Sequence, residues 1–316
     1  MTASAALEAA QDFVEDRAVR SMTSTSTTPS PAPSGIVRPA KRPPGWVAPG
    51  PAPRTPDRAD VWPALGEDLC YLSGNFRILQ RLDGHRWSVD DLVTAAYAAE
   101  IVKDAPPRRA VDLGCGIGTV LLFTAWRWPD AELVGVEDQE LSLAMARRSI
   151  GWNGVDDRCH VRHGDLRDPA LTAGLGPVDL VTGTPPYLAL GSGLVSERPQ
   201  CGPCRFETRG GVEDYCLAAA RMLAPGAPFV ACASAKQRER VAAGAQAAGL
   251  AIERWMDVVP KEGKAPLLAV FALRSAETAR PFVEDAPLVV RTSAGRFSDA
   301  FDALRRTMGI PIPLAP

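Results

Sequence analysis

No run of about 18 consecutive apolar residues occurs in this 316-residue chain, so nothing in it reads as a membrane span. The N-terminus lacks a basic start followed by an apolar stretch, which argues against a secretory leader. Glu8, Asp12, Glu15 and Asp16 argue against a mitochondrial one. Neither sign of charge dominates: 35 Lys plus Arg stand against 37 Asp plus Glu, a net -2. That excludes a polycationic nucleic-acid coat and leaves room only for a local basic patch. Cysteines number seven, an odd count that suits reduced thiols in the cytoplasm better than a disulfide framework. What the chain does have is 46% apolar residues, enough for a core. At roughly 100–200 residues per domain, its length allows one large domain with a tail or two small ones.

Residues 1–60 differ from the rest. Ala, Ser, Thr and Pro dominate, and from Pro29 to Pro63 prolines recur every few residues. Proline lacks a backbone donor and disfavours helix at the residue before it, and few large side chains are present to offset ordering entropy. The segment reads as a disordered tail, with a short helix allowed over Ala5–Val19. Residues 61–316 read as one domain, with a helical cap over 61–105 that includes a helix at Leu92–Val102. Strands and helices then alternate: strands at Ala110–Leu113, Glu132–Val136, His160–His163, Val178–Thr182 and Phe229–Ala233, with helices between them, then late strands at Ile252–Val259 and Leu267–Leu273. This order predicts an α/β, doubly wound, largely parallel sheet, whose ligands sit at the carboxyl ends of the strands.

The strongest signal is Val111-Asp112-Leu113-Gly114-Cys115-Gly116-Ile117-Gly118, a strand running into a glycine-rich turn and then a helix. Gly114, Gly116 and Gly118 let the backbone take positive φ and approach a ligand closely. Thr119 stands where the dinucleotide fingerprint needs glycine or alanine, and no Gly-Lys-Ser/Thr follows, so the loop does not read as a pyrophosphate cradle. Asp112 suits a cationic ligand instead. Glu137 ends the next strand about twenty residues on, where a carboxylate meets a ribose diol. Asp165 ends the third strand and is placed to accept from an adenine amino group. Three successive strand ends thus describe a nucleoside pocket.

These motifs resemble those of class I S-adenosylmethionine-dependent methyltransferases, a Rossmann-like fold with late antiparallel strands. Thr182-Gly183-Thr184-Pro185-Pro186-Tyr187 is similar to the Asn/Asp-Pro-Pro-Tyr/Phe motif of amino-group methyltransferases. Residues 76–80, 87–93, 204–207, 212–215, 287–291 and 297–301 resemble the flanks of the tRNA1(Val) adenine N6-methyltransferase-like family, so that the likeness runs over roughly 72–308, with a C-terminal strand and helix at 287–308. The resemblance implies S-adenosyl-L-methionine as cofactor and a structured RNA such as tRNA as partner. It implies a target held at Thr184, Pro185, Pro186 and Tyr187, with Arg205 and Glu207 on a covering loop. Asp90 and Asp91, just before the first helix, are placed to close the pocket.

An exocyclic amino nitrogen is a poor nucleophile because its lone pair is delocalised into the ring. In the family motif the Asn side chain and the first proline's carbonyl grip its two N–H groups, the aromatic residue stacks on the base, and positioning supplies much of the rate. Here Thr184 replaces Asn, and a threonine hydroxyl reaches less far than an amide oxygen. Beside adenine N6, three readings stay open: a guanine amino group, a protein glutamine or small-molecule amine, and a non-catalytic RNA-binding role. Cys201-Gly202-Pro203-Cys204 matches a redox tetrapeptide but sits in a loop, where it reads as a turn. His160 and His163 point to opposite faces of a strand, so no metal site is expected.

Overall fold

The computed structural model describes residues 34–54, 58–188, 200, 202, 204 and 206–312; the helix allowed at 5–19 and Arg205 lie outside them. Twelve strands are described. β1 (Ile36–Val37), β2 (Glu67–Tyr71) and β3 (Arg77–Arg81) make a three-stranded sheet, in the order β1-β2-β3. The main sheet is nine-stranded. It contains β4 (Arg109–Leu113), β5 (Glu132–Glu137), β6 (Cys159–His163), β7 (Leu180–Gly183) and β8 (Phe229–Ser234). Beyond them come β9 (Leu250–Val259), β10 (Leu268–Ser275), β11 (Val283–Glu284) and β12 (Leu288–Val289). Its order is β11-β9-β10-β8-β7-β4-β5-β6, with β12 also on β9. Strands β4 to β8 are mutually parallel, and β10 runs antiparallel to both β8 and β9, as the sequence predicts for the late strands.

Seven α-helices lie among the described residues, six between strands and the last after β12: α1 (Val89–Ile101), α2 (Thr119–Arg127), α3 (Glu140–Asn153), α4 (Pro169–Ala173), α5 (Val212–Ala220), α6 (Arg238–Ala247) and α7 (Asp299–Thr307). The sheet separates two apolar cores, and single strands feed both. In β8, Val230 and Cys232 enter the core beneath α1–α3, whereas Phe229, Ala231 and Ala233 enter the one beneath α5 and α6. This is why the central strands read as continuous apolar runs rather than alternating ones. The chain passes from β4 out to β6 and returns to β7 on the other side of β4. The crevice between β4 and β7 is therefore a topological switch point, open at the carboxyl ends.

Two expectations are corrected. The tail boundary at residue 60 is too late, because residues 34–54 run along the domain. β1 pairs with β2, Gly35 N donates to Pro63 O, Arg54 N donates to Asn153 O, and the Trp126 indole donates to Pro49 O. A proline-rich segment needs no partner strand on both sides; here the domain supplies donors for its carbonyls. Trp126 packs so closely that a Cβ built on Gly50, Gly74 or Gly309 would strike its ring. The supposed helical cap at 61–105 is also only partly helical. It opens with the β2–β3 hairpin, and α1 follows. Leu69, Ile78 and Leu79 are fully buried because the hairpin packs on α3.

Candidate active site

The glycine loop is built by its neighbours. Cys115 N donates to Val136 O on β5 at 2.9 Å, and Gly118 N donates to Cys115 O at 2.8 Å, closing a turn that ends at the first residues of α2. Gly114, Gly116 and Gly118 have φ of 58°, 55° and 88°, the left-handed region that glycine tolerates. A Cβ on Gly114 would lie 2.0 Å from the Tyr215 hydroxyl, so that glycine admits the tyrosine. A Cβ on Gly116 would meet nothing within 4 Å and would project into open space.

That space is a cavity at the switch point. The strand ends contribute Gly114, Cys115, Gly116, Ile117, Glu137, Asp138, Gln139, Gly164, Asp165, Thr184, Pro185, Pro186 and Tyr187. His85, Ser88, Val89, Asp90 and Asp91 close it from the start of α1; Cys204, Arg209, Tyr215, Leu267 and Leu268 complete the wall. The carboxylates Asp90, Asp91, Glu137, Asp138 and Asp165 make it acidic, although Arg209 pairs with Asp138.

Each carboxylate is held differently. Glu137 is buried; Oε2 accepts from Gly116 N at 2.8 Å and Oε1 from Gln139 N at 2.7 Å. Burial raises its carboxyl above the ordinary range, against the pull of those two amides. Asp91 accepts from Ser88 N at 2.9 Å and so caps α1. Burial, then the charge of Asp90, pushes its carboxyl up to about 7. Asp90 takes the Ser88 hydroxyl on one oxygen and lies 3.5 Å from the Tyr187 hydroxyl with the other. Asp165 is paired with Arg167, Oδ2 to Nη2 at 2.5 Å, and the guanidinium holds its carboxyl below the usual range.

The Tyr187 backbone is held as well, since its carbonyl accepts from Gln237 Nε2 at 3.2 Å. Leu188 bridges to Phe206, and Glu207 N donates to Leu188 O at 3.1 Å. Among the described residues no hydrogen bond engages the Thr184 hydroxyl, which is half-buried on the cavity wall.

Residues 87–192 match the family model described as the methyltransferase small domain. The chain is 24% identical over 221 residues to a tRNA1(Val) (adenine(37)-N6)-methyltransferase of Porphyromonas gingivalis, an alignment covering 68% of this chain and 85% of that protein. It is 29% identical over 204 residues to the protein of the same name from Tolumonas auensis, covering 62% of this chain and 80% of that one. The crystal structure of a predicted O-methyltransferase from Agrobacterium tumefaciens has the same fold, with a TM-score of 0.53 at 19% identity, over 72% of this chain and all of that one. The chain is a methyltransferase with the class I fold.

Of the methyltransferase's expected site residues, Gly114, Gly116, Glu137, Asp165 and Thr184 through Tyr187 do line one cavity. Three others do not. Asp112 lies behind the loop, 3% exposed, where Oδ1 accepts from the Thr182 hydroxyl at 2.8 Å and Oδ2 has no partner among the described residues. Gly118 is the N-cap of α2 and packs against Ala146. Glu207 is turned away into a bidentate pair with Arg240, at 2.5 and 3.0 Å. A Cβ on Gly183 would strike the Tyr215 ring, so this glycine too admits the tyrosine. Sequence reasoning missed Tyr215, Gln139, His85 and the Leu267–Leu268 wall. Tyr215 ends the 212–215 stretch noted for its family likeness, which gave it no site role; the others carry no motif, and only the fold brings them to the crevice. The Cys204 thiol lies near the Gln139 amide, and burial pushes it up to about 12; Cys201 lies outside the described residues. No cluster of metal-ligating side chains occurs among the described residues, and no helix among them is long and apolar enough to cross a membrane.

Proposed function

We propose that this methyltransferase transfers a methyl group to an amino nitrogen of a base in structured RNA, with adenine N6 as the leading target and S-adenosyl-L-methionine as donor. The observation that carries the reading is the placement of Thr184–Tyr187. They wall the same cavity as Gly114–Gly116 and Glu137, so a base and a nucleoside cofactor share one crevice. The relatives named as tRNA adenine N6-methyltransferases support the RNA target.

The cavity suits the donor. Its surplus of carboxylates favours a ligand bearing sulfonium and ammonium charges, and the open space over Gly116 is what a close-lying ligand needs. Glu137 and the amides it gathers would hold the ribose side, and Asp165 the adenine side. When bound, S-adenosyl-L-methionine supplies an electrophilic methyl group. The chain's own part is to aim the acceptor. The Pro185 carbonyl accepts one N–H of the target amine, and the Thr184 hydroxyl, which no hydrogen bond engages among the described residues, accepts the second. Tyr187 presents its ring to the base. Gripping both N–H groups draws the lone pair out of conjugation and points it at the methyl, so that positioning replaces a strong base. A paired target has to be flipped out or already unpaired.

Thr184 also favours a second reading, in which its shorter side chain fits an acceptor other than adenine, such as a guanine amino group, a protein glutamine or a small amine. Tritiated S-adenosyl-L-methionine, incubated with separated RNA, protein and metabolite pools from cells lacking the gene, separates the two. Label recovered as N6-methyladenosine supports the first reading. Label in protein or metabolites overturns it. T184N then reports on the acceptor: higher adenine turnover is expected, and loss of turnover on the native pool favours the second reading.

A further inference from the structure

We propose that Lys236, Lys261 and Lys264 form a phosphate-gripping rim beside the target pocket, which holds the RNA backbone while a base enters the crevice. This rests on the RNA reading above. The chain uses arginine for nearly all its positive charge and contains only five lysines. Three of those five lie within residues 236–264, and the fold sets all three on the carboxyl-end face that carries the cavity.

Lys236 sits in the single turn at Ala235–Gln237 that follows β8, next to the Gln237 whose amide holds the Tyr187 carbonyl. Lys261 and Lys264 sit on the β9–β10 loop. That loop ends in Leu267 and Leu268, which line the cavity, and the Ala235 amide donates to the Leu267 carbonyl at 3.2 Å. The two segments are thus stitched together at the mouth. A third segment extends the rim: Glu262 N donates to Arg291 O, and the Glu262 carboxylate accepts from Ser293 N, which docks the turn carrying the exposed Arg296.

Pairing separates these lysines from the others. Lys103 is ion-paired with Glu100 at 2.7 Å, and Lys41 has a partner. Lys236, Lys261 and Lys264 are exposed, and among the described residues none has a carboxylate within ion-pair distance. The carboxylate nearest in sequence, Glu262, is engaged by the Ser293 amide. Three unpaired cations of one sign around a loop are left for an outside anion.

The interior of the cavity makes such a rim necessary. Its carboxylates suit a cationic cofactor and repel phosphate, so a polyanion must be gripped outside the crevice for one base to be delivered into it. Lysine is a compact, hydrated point charge on a flexible stem, suited to phosphate oxygens in varied orientations. Contacts of this kind fix register and orientation without reading sequence.

Binding of end-labelled total tRNA, followed by fluorescence polarisation over a salt series, tests this. In K236A/K261A/K264A the tRNA affinity is expected to fall. The slope of log affinity against log salt should become shallower by about 2 to 3, since each phosphate contact contributes roughly 0.7–0.9. Binding of S-adenosyl-L-methionine by calorimetry should stay unchanged, which shows that the variant folds. Replacing all three by arginine should retain the affinity. K103A, at the amino end of β4 on the opposite face, should bind tRNA like the parent. If the triple alanine variant keeps the parent's affinity and salt slope, the rim is wrong and the RNA reading survives. If the parent binds the cofactor but no tRNA, both fall. If the triple variant binds tRNA normally but loses methyl transfer to a protein pool, the rim serves an acidic protein and the proposal is overturned.

Discussion

The Thr182 hydroxyl on β7 donates at 2.8 Å to Oδ1 of Asp112, its register partner on β4. It joins the two strands on either side of the crevice just below the glycine loop. It also leaves Asp112 Oδ2 buried without a partner among the described residues. Burial then pushes the carboxyl up to about 7, against the pull of the Thr182 hydroxyl and the nearby Leu121 amide.

A pH dependence follows, with a definite sign. At low pH Asp112 is protonated in folded and unfolded chains alike. Between about 4 and 7 the unfolded chain has released a proton that the folded chain keeps, so stability falls as pH rises through that window. Asp91, also pushed up to about 7, adds to the same fall. D112N keeps the shape and cannot ionise. Its melting temperature should fall less between pH 5 and 8 than the parent's. An unchanged profile would mean that Asp112 titrates normally. T182V strips the donor and should cost about 1–3 kcal/mol by denaturant unfolding.

Gly114 and Gly116 share a conformation and differ in what faces them. A methyl group on Gly114 would overlap the Tyr215 hydroxyl, whereas one on Gly116 has open space. G114A should therefore lower stability and cofactor affinity together. G116A should fold with a smaller penalty, from positive φ alone, and a bulkier G116R should fold yet fail to bind cofactor. Paired melting and calorimetric titrations check this. Equal behaviour of the two glycine positions would contradict the geometry.

The legible parts of the fold were those with local signatures. The glycine loop, the strand ends at Glu137 and Asp165 and the Pro-Pro-Tyr turn each announce themselves within a few residues, and all reach the cavity. What sequence hid was what depends on distant partners. Asp112 reads as a loop-end carboxylate, but the register with β7 turns it onto Thr182 and away from the cavity. Glu207 reads as a substrate-loop residue, but α6 brings Arg240 to it. Residues 34–54 read as disordered because their composition lacks a core. The body supplies one through Trp126, about 75 positions along the chain from Pro49, beyond the reach of any local pattern.

Arg240 binds two carboxylates at once, Glu207 at 2.5 Å and Glu213 at 2.6 Å, and so ties Glu207, whose amide donates to Leu188 O, to the start of α5. Both carboxylates reinforce the guanidinium's charge. The arginine is one-third exposed, so solvent screening keeps its stability contribution to about 1 kcal/mol. Its larger effect should be on turnover, because slack in Glu207 reaches Leu188 and Tyr187. R240A should lower kcat several-fold while cofactor affinity stays within twofold. R240K, which keeps charge but loses the fork, should fall between them. A full loss of folding in R240A would make the cluster structural instead.

Tyr187 separates a stacking platform from a packing residue. Its hydroxyl lies 3.5 Å from Asp90, a weak contact, and its carbonyl is held by Gln237. Y187F keeps the ring and the carbonyl contact, so kcat/KM on RNA should change by no more than a few-fold. Y187A removes the ring. Base–aromatic stacking contributes about 1–3 kcal/mol, which predicts a loss of roughly 5- to 150-fold in kcat/KM. Because a stack acts on the bound base, the loss should appear with melting temperature nearly unchanged. A packing tyrosine gives the reverse: a lower melting temperature in Y187A, with kcat/KM preserved at temperatures where the variant stays folded. The Q237A variant completes the comparison. It frees the Tyr187 carbonyl without touching the ring, so it should raise the KM for RNA less than Y187A does, and it should leave cofactor affinity alone.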